Sequence, residues 1–449
     1  MIIESRNPAT GVVEQVFDAL TAEQLEAKLS KASAAAPGWR GQSYLQRGLY
    51  LRKVAELLRR DRESLAELMG REMGKLKAEA LGEVDKCALA CDHYADNTAA
   101  LLADKTVATA AHKSQVIFQP LGTVMGIMPW NFPLWQVFRF LAPTLMAGNT
   151  ALLKHAPNVP GCALAVEELF NEAGLPEGVF STLLVTVEQT EALIADERIQ
   201  GVAFTGSEKA GRQVATLAGQ NLKKVVLELG GSDPLVVLED ANLEKAVEVA
   251  VKSRFSNAGQ ICIAAKRFIL VEPIADQFVE LLKERVAQLQ PGSTLAPMAR
   301  EDLRAGLHAQ VQASIYQGAK PLCGCDIHEG DGYFYQASIL DQVQPGMTAF
   351  DEELFGPVAT IVRVADEQEA LRMANATRFG LGASVWTADL QRGEAFARGV
   401  ESGCCFVNAM VGSDVRLPFG GIKASGLGRE LGSHGLMEFC NVKTVWIDA

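Results

Sequence analysis

From about Val116 to Leu229, short apolar runs alternate with segments of helical spacing, and this alternation limits the possible fold more than any other feature of the chain. The runs HKSQVIFQP and TVMGIMP, followed by TALLKH, FSTLLV, GVAFTGS and KKVVLEL, have the length and composition of strands. The segments NFPLWQVFRFLAPTLMAG, Pro160 to Ala173, Val187 to Ala195 and Glu208 to Ala218 lie between them and predict helices. An unbroken βαβα order implies a mainly parallel, doubly wound sheet with helices on both faces. A second series, DPLVVLED, the helix before Phe255, KRFILVE, PVATIVRV and CCFVNAM, predicts a second α/β domain. The first hundred residues are expected to be helical: Thr21 opens the capping-box pattern TAEQ, and apolar residues recur at helical intervals after Ser43 and Gly74.

At 449 residues the chain is too long for one core and calls for two or three units of roughly 100–200 residues. A net charge of −12 repels nucleic acid and anionic membranes. No apolar stretch approaches the roughly 20 residues needed to span a bilayer, and MIIESRNPATG lacks the pattern of a targeting segment, so a cytoplasmic protein is expected. Nine cysteines without a CxxC pair suggest neither a disulfide framework nor a metal site.

Four segments carry candidate chemistry. FSNAGQIC sets Cys262 after turn-forming residues, where a thiol is expected to be exposed and its pKa lowered by backbone N–H groups, although any one cysteine is more often structural. KKVVLELGGSDP puts Glu228 near the end of an apolar strand, where a carboxylate is either paired within the fold or a general base with a raised pKa. IMPWNFPLWQ fixes Asn131 between two prolines, aiming an amide that could serve an oxyanion or merely make a turn. FTGSEKAG offers Gly206, Ser207 and a helix start to a phosphate, yet it fits neither GxGxxG nor the phosphate-loop pattern.

Together, in this order and with TALLKH and EELFGP beside them, these segments resemble the aldehyde dehydrogenase superfamily over nearly the whole chain. The resemblance implies an α/β fold of two doubly wound domains plus a small β oligomerisation extension. The dinucleotide-binding domain would span 1–106 and 122–229, the catalytic domain 230–425, and the extension 107–121 and 436–449. By the same resemblance Cys262 is the nucleophile, Glu228 the base, and Asn131 with the Cys262 N–H the oxyanion hole. Hydrolysis of a Cys262 thioester to a free acid follows, since relatives that transfer the acyl group to coenzyme A lack a base at that position.

The resemblance also assigns NAD or NADP to Lys154, Gly206, Ser207, Leu229, Glu353 and Phe355, with Ile127, Pro129 and Trp130 lining the cleft. Many NAD-preferring relatives carry an acidic residue three positions after the lysine, and here that position is Pro157, so use of both cofactors is expected. LLKHAPNVPGCA looks like the bacterial succinate-semialdehyde dehydrogenases, which makes Arg139 and Ser413 the expected contacts of a substrate carboxylate. A second arginine that some of those enzymes place six residues before the nucleophile is Ser256 here. Glutarate semialdehyde and neutral aliphatic aldehydes are the competing substrates, and a dimer or tetramer is the expected assembly. A cysteine hydrolase or acyltransferase would need a histidine base, and none lies near Cys262 in sequence.

Overall fold

The computed structural model describes residues 2–448. The alternating region forms a six-stranded sheet in the order Gly426–Leu427, Lys224–Glu228, Ile199–Thr205, Thr123–Met128, Thr150–His155, Phe180–Thr182. All pairings are parallel except that of the short edge strand Gly426–Leu427. Thr123–Met128 is buried along its whole length, as a central strand covered on both faces must be. The register brings the carboxyl ends level: Ile127 pairs with Lys154 and Phe204, and Thr205 pairs with Glu228. Ligands of open parallel sheets lie beyond those ends.

The second sheet has seven strands in the order Lys320–Cys323, Ser338–Asp341, Val358–Val364, Ala265–Val271, Asp233–Val237, Gly382–Trp386, Cys404–Val407, with only the first antiparallel. Glu228 closes a strand of the first sheet and Asp233 opens one of the second, so the chain passes between the two sheets in four residues. Cys262 precedes the neighbouring strand Ala265–Val271 by three residues. The cleft therefore lies between the carboxyl edge of one sheet and the amino edge of the other. The helix Trp135–Ala147 is buried at every residue and runs behind that cleft.

The amino-terminal region departs from the helical expectation at its start, where Ile2–Arg6 and Val13–Asp18 form an antiparallel hairpin. Ile3 and Ser5 alternate inward, and the intervening turn has Asn7 Oδ1 accepting the Ala9 N–H and Gly11 at φ +74°. Helices follow at Ala22–Arg40, Tyr44–Arg60, Arg62–Met73 and Lys77–Leu101, the first two opened by reciprocal capping boxes at Thr21 and Ser43. The last strand, Cys440–Ile447, pairs antiparallel with Lys113–Pro120, which also holds Lys105–Thr106 on its other side. Met437 and Glu438 close a short helix, so the strand starts later than its sequence suggests. Val442 and Trp446 on it are more than half exposed. No helix among the described residues is long and apolar enough to cross a membrane.

Candidate active site

Cys262 is presented by a turn in an unusual conformation. Asn257, Ala258 and Gly259 all adopt positive φ, at 51°, 52° and 71°, which costs the two non-glycine residues about 1–3 kcal/mol each. Neighbours hold the turn. Glu79 accepts the Asn257 N–H at 2.9 Å, and Gln260 both donates to Asn257 O at 3.0 Å and accepts the Ala299 N–H at 2.9 Å. At Gly259 a Cβ would lie 2.3 Å from the Gly356 carbonyl oxygen, so only glycine fits. Lys266 ties the far side, donating to Ile261 O at 2.9 Å and Cys262 O at 2.6 Å while pairing with Glu353 at 3.1 Å.

Two cavities meet at this turn, and Cys262 and Gln136 line both. Cys262 is thus half-buried rather than exposed, and burial pushes its thiol up to about 11 instead of down. Arg139 and Lys266 pull the other way but do not offset the lost hydration. The turn forms a floor between two lobes, not an open sheet edge, which sequence spacing cannot reveal.

The cavity on the first-sheet side measures about 250 Å³ and is lined by Pro129, Trp130, Asn131, Gly206, Ser207, Leu229, Glu353 and Phe355 among others. Trp130 meets Phe355 edge to face at 5.9 Å. Ser207 caps the helix Glu208–Gln220, whose amino end therefore opens on this side. Glu353 accepts the Gly231 N–H at 3.2 Å, and a Cβ on Gly230 would stand 2.2 Å from its Oε2, so the carboxylate can approach only because that residue is glycine. Ile127 and Lys154 end neighbouring strands just outside this lining. Burial lowers the Lys154 ammonium below its ordinary range, with no carboxylate offsetting that effect. A half-buried unpaired cation, a helix amino end and an apolar slot fit a dinucleotide.

Asn131 is held by its own backbone, whose carbonyl accepts from Lys75 Nζ and Asn257 Nδ2, each at 2.9 Å. Its Nδ2 donates to Gln260 O at 3.0 Å, leaving the second amide hydrogen available. Glu228 is fully buried, and neither carboxylate oxygen has a hydrogen-bond partner. Burial raises its pKa well above the carboxylate range, Arg139 lowers it, and Glu430 raises it further. A carboxyl group in this environment favours its neutral form and can gain or lose a proton without breaking an ion pair.

The second cavity, about 330 Å³, is lined by Cys262, Ile263, Phe132, Trp135, Phe419, Lys86, Arg139 and Ser413 among others. The sequence-predicted Arg139 and Ser413 both reach it. Arg139 is deeply buried, forms an ion pair with Glu430 through Nε, donates to Thr205 Oγ1 at 3.3 Å and lies over the Phe419 ring. Ser413 accepts from Lys86 Nζ at 2.7 Å. Sequence reasoning missed Lys86, Gln136, Lys266 and Glu430. Of these, only Lys266 carried a local signal, a charge at the start of an apolar strand four residues past the cysteine.

The description of the aldehyde dehydrogenase family matches residues 1–445. A probable succinate-semialdehyde dehydrogenase (NADP+) of Synechocystis sp. is 48% identical over 453 residues, covering 100% of both chains. The succinate semialdehyde dehydrogenase (NAD(P)+) Sad of Escherichia coli is 45% identical over 450 residues, covering 99% of this chain and 97% of that one. The crystal structure of succinic semialdehyde dehydrogenase from Streptococcus pyogenes in complex with NADP+ superimposes over 100% of both chains with a TM-score of 0.98 at 36% identity. With a thiol and an anchored amide at the cleft between two largely parallel sheets, and an unpaired buried carboxyl at the end of a strand beside it, the chain belongs to the aldehyde dehydrogenase family.

Proposed function

We propose that the protein oxidises succinate semialdehyde to succinate with NAD+ or NADP+. The observation that carries this reading is the meeting of two cavities at Cys262, one fitted to a dinucleotide and the other edged with cations. The relatives named above act on this substrate by name, one with NADP+ and one with either cofactor.

Cys262 must react as a thiolate, and burial keeps it protonated at rest. Glu353 is occupied by Lys266 and the Gly231 N–H, whereas Glu228, in the ionised form that its raised pKa makes the scarcer one, has both oxygens free to take the proton. The sulfur then adds to the aldehyde carbon, forming the C–S bond and placing negative charge on the carbonyl oxygen. The free Asn131 amide hydrogen and the Cys262 N–H stabilise that oxyanion. A bound nicotinamide cofactor would supply the acceptor for the hydride lost from this carbon, which would leave a thioester on Cys262. Glu228, having released the first proton to solvent, takes one from water. The hydroxide oxygen attacks the thioester, the C–S bond breaks, and the acid departs.

Pro129, Trp130, Leu229 and Phe355 would enclose the cofactor, with Ile127 behind them. Ser207 and Gly206 would face its phosphates, Lys154 a ribose or its 2′-phosphate, and Glu353 the nicotinamide ribose. Arg139 keeps both hydrogens of Nη1 and one of Nη2 for a ligand, while Glu430 partly offsets its charge. All nine cysteines are free, in keeping with a reducing cytoplasm. The exposed Val442 and Trp446 on the terminal strand support assembly through that strand into a dimer or tetramer, which sedimentation equilibrium measures.

The functional reading is tested by comparing kcat/KM for succinate semialdehyde, glutarate semialdehyde and butanal. Preference for the four-carbon acidic aldehyde by about tenfold or more is expected. Equal turnover of butanal would sink it.

A further inference from the structure

The substrate-side cavity contains a cation that no step above uses. Of the other cations lining it, Lys75 is fully buried and pairs with Glu83, Arg139 pairs with Glu430, and Lys252 is exposed to solvent. Lys86, on the helix Lys77–Leu101, has no carboxylate within ion-pairing distance among the described residues. Its ammonium donates to Ser413 Oγ at 2.7 Å and stands 4.2 Å above the centre of the Trp135 ring.

Of the carboxyl groups near it, Glu79 also lines the cavity, accepts the Asn257 N–H through one oxygen and is pushed toward its neutral form by burial, while Glu83 and Asp414 are committed elsewhere. Glu83 Oε1 accepts the N–H groups of Leu134 and Trp135, each at 2.8 Å, and its other oxygen is held by Lys75. Asp414 is clasped by Arg416 at 2.8 and 2.6 Å. An ammonium has three donors, and a single hydroxyl uses one of them. Two remain for a ligand in a cavity that the Cys262 thiol also lines.

We propose that Lys86, oriented by the Ser413 hydroxyl and the Trp135 ring, binds the distal carboxylate of the substrate and sets the preference for an acidic aldehyde. This rests on the functional reading above. It gives Ser413 the role of an orienting acceptor and leaves Arg139 to hold Glu430 beside Glu228. Partial desolvation makes the site effective: burial lowers Lys86 to about 8, Arg139 adds to the lowering, and Cys87, Glu83 and Asp414 oppose it only in part. An arriving carboxylate supplies the missing counter-charge. The ammonium is present below about pH 8 and is lost as pH rises through that value, so affinity for an anion falls in the same direction.

The test uses the full-length enzyme with succinate semialdehyde and butanal, the neutral aldehyde of equal carbon number. Lys86→Met should raise KM for succinate semialdehyde by about tenfold or more with kcat little changed, and Lys86→Arg should recover most of the loss. Butanal, having no carboxylate to lose, should show less than about a twofold change in kcat/KM. In the unmodified enzyme the KM for succinate semialdehyde should climb from pH 7 to about 9 while that for butanal does not, an arm that stands even if a variant folds poorly. Equal losses on both aldehydes, or an unchanged KM for the acidic one, overturns the assignment. So does a selective loss in Arg139→Lys that Lys86→Met fails to reproduce. The unmodified enzyme's choice between the two aldehydes tests the functional reading separately.

Discussion

The two cavities that meet at Cys262 are built in different ways. The cofactor side is made of strand ends and the turns that follow them: Pro129 and Trp130 after Thr123–Met128, Gly206 and Ser207 after Ile199–Thr205, Leu229 and Gly230 after Lys224–Glu228. The backbone register of one sheet fixes their positions. The substrate side draws on long side chains from helices far apart in the chain, with Lys86 on Lys77–Leu101, Arg139 on Trp135–Ala147, and Ser413 and Phe419 in the loop after Cys404–Val407. Its character comes from how charges are paired, and one substitution there can change substrate choice without moving the backbone. The cofactor side is therefore the conserving half of the design by construction, and the substrate side the adjustable half.

The largest expected effect lies at the shared boundary. Cys262→Ser leaves both cavities intact and removes the one atom that joins their chemistry, so kcat should fall on the order of 10⁴-fold for every aldehyde and either cofactor. Steady-state rates on folded protein, with cofactor binding checked by fluorescence quenching, provide the measurement. Intact turnover would mean that the cavities do not communicate through this sulfur.

Glu228→Gln should cost less, about 10³-fold in steady state, because it removes the base rather than the nucleophile. Mass spectrometry should then find an acyl group trapped on Cys262. In the unmodified enzyme the raised Glu228 pKa means that the base is lost as pH falls through its elevated value, giving a declining acid limb in the hydrolytic rate. That limb should vanish in the glutamine variant, and its persistence would move the base elsewhere.

This division also explains what the sequence disclosed. Alternating apolar runs and the turns after them specify one sheet and its carboxyl edge, so Glu228, Asn131 and Ser207 could be placed at that edge from their segments, whereas Phe355, which precedes a strand of the second sheet, came only through the family resemblance. The amino-terminal hairpin was not, because Ile2–Arg6 is too short for its alternation to stand out before a strong capping box at Thr21. Gly382–Trp386 was lost among glycines and small residues that weaken a strand signal. Lys86 was invisible for a different reason. On an amphipathic helix a lysine is ordinarily a solvated charge, and only tertiary packing reveals that its neighbouring carboxylates are taken. The Cys262 pKa likewise depends on the walls of both cavities, which lie more than a hundred residues apart in the chain.

The smallest expected effect isolates the cofactor side. Pro157 is exposed in the turn after Thr150–His155, three residues beyond Lys154. A carboxylate introduced there by Pro157→Glu would face the same group as the lysine. Two exposed unit charges about 4 Å apart interact by about 1 kcal/mol in water, so NADP+, which carries a 2′-phosphate, should lose about fivefold in kcat/KM. NAD+ has a hydroxyl at that place and should change by less than about twofold, and because Pro157 is not part of the substrate-side lining, KM for the aldehyde should stay constant. Steady-state kinetics with both cofactors at low and high salt measures this, with the NADP+ penalty shrinking as salt screens it. A shift in aldehyde KM of similar size would show that the two cavities are energetically coupled and would break the division drawn above.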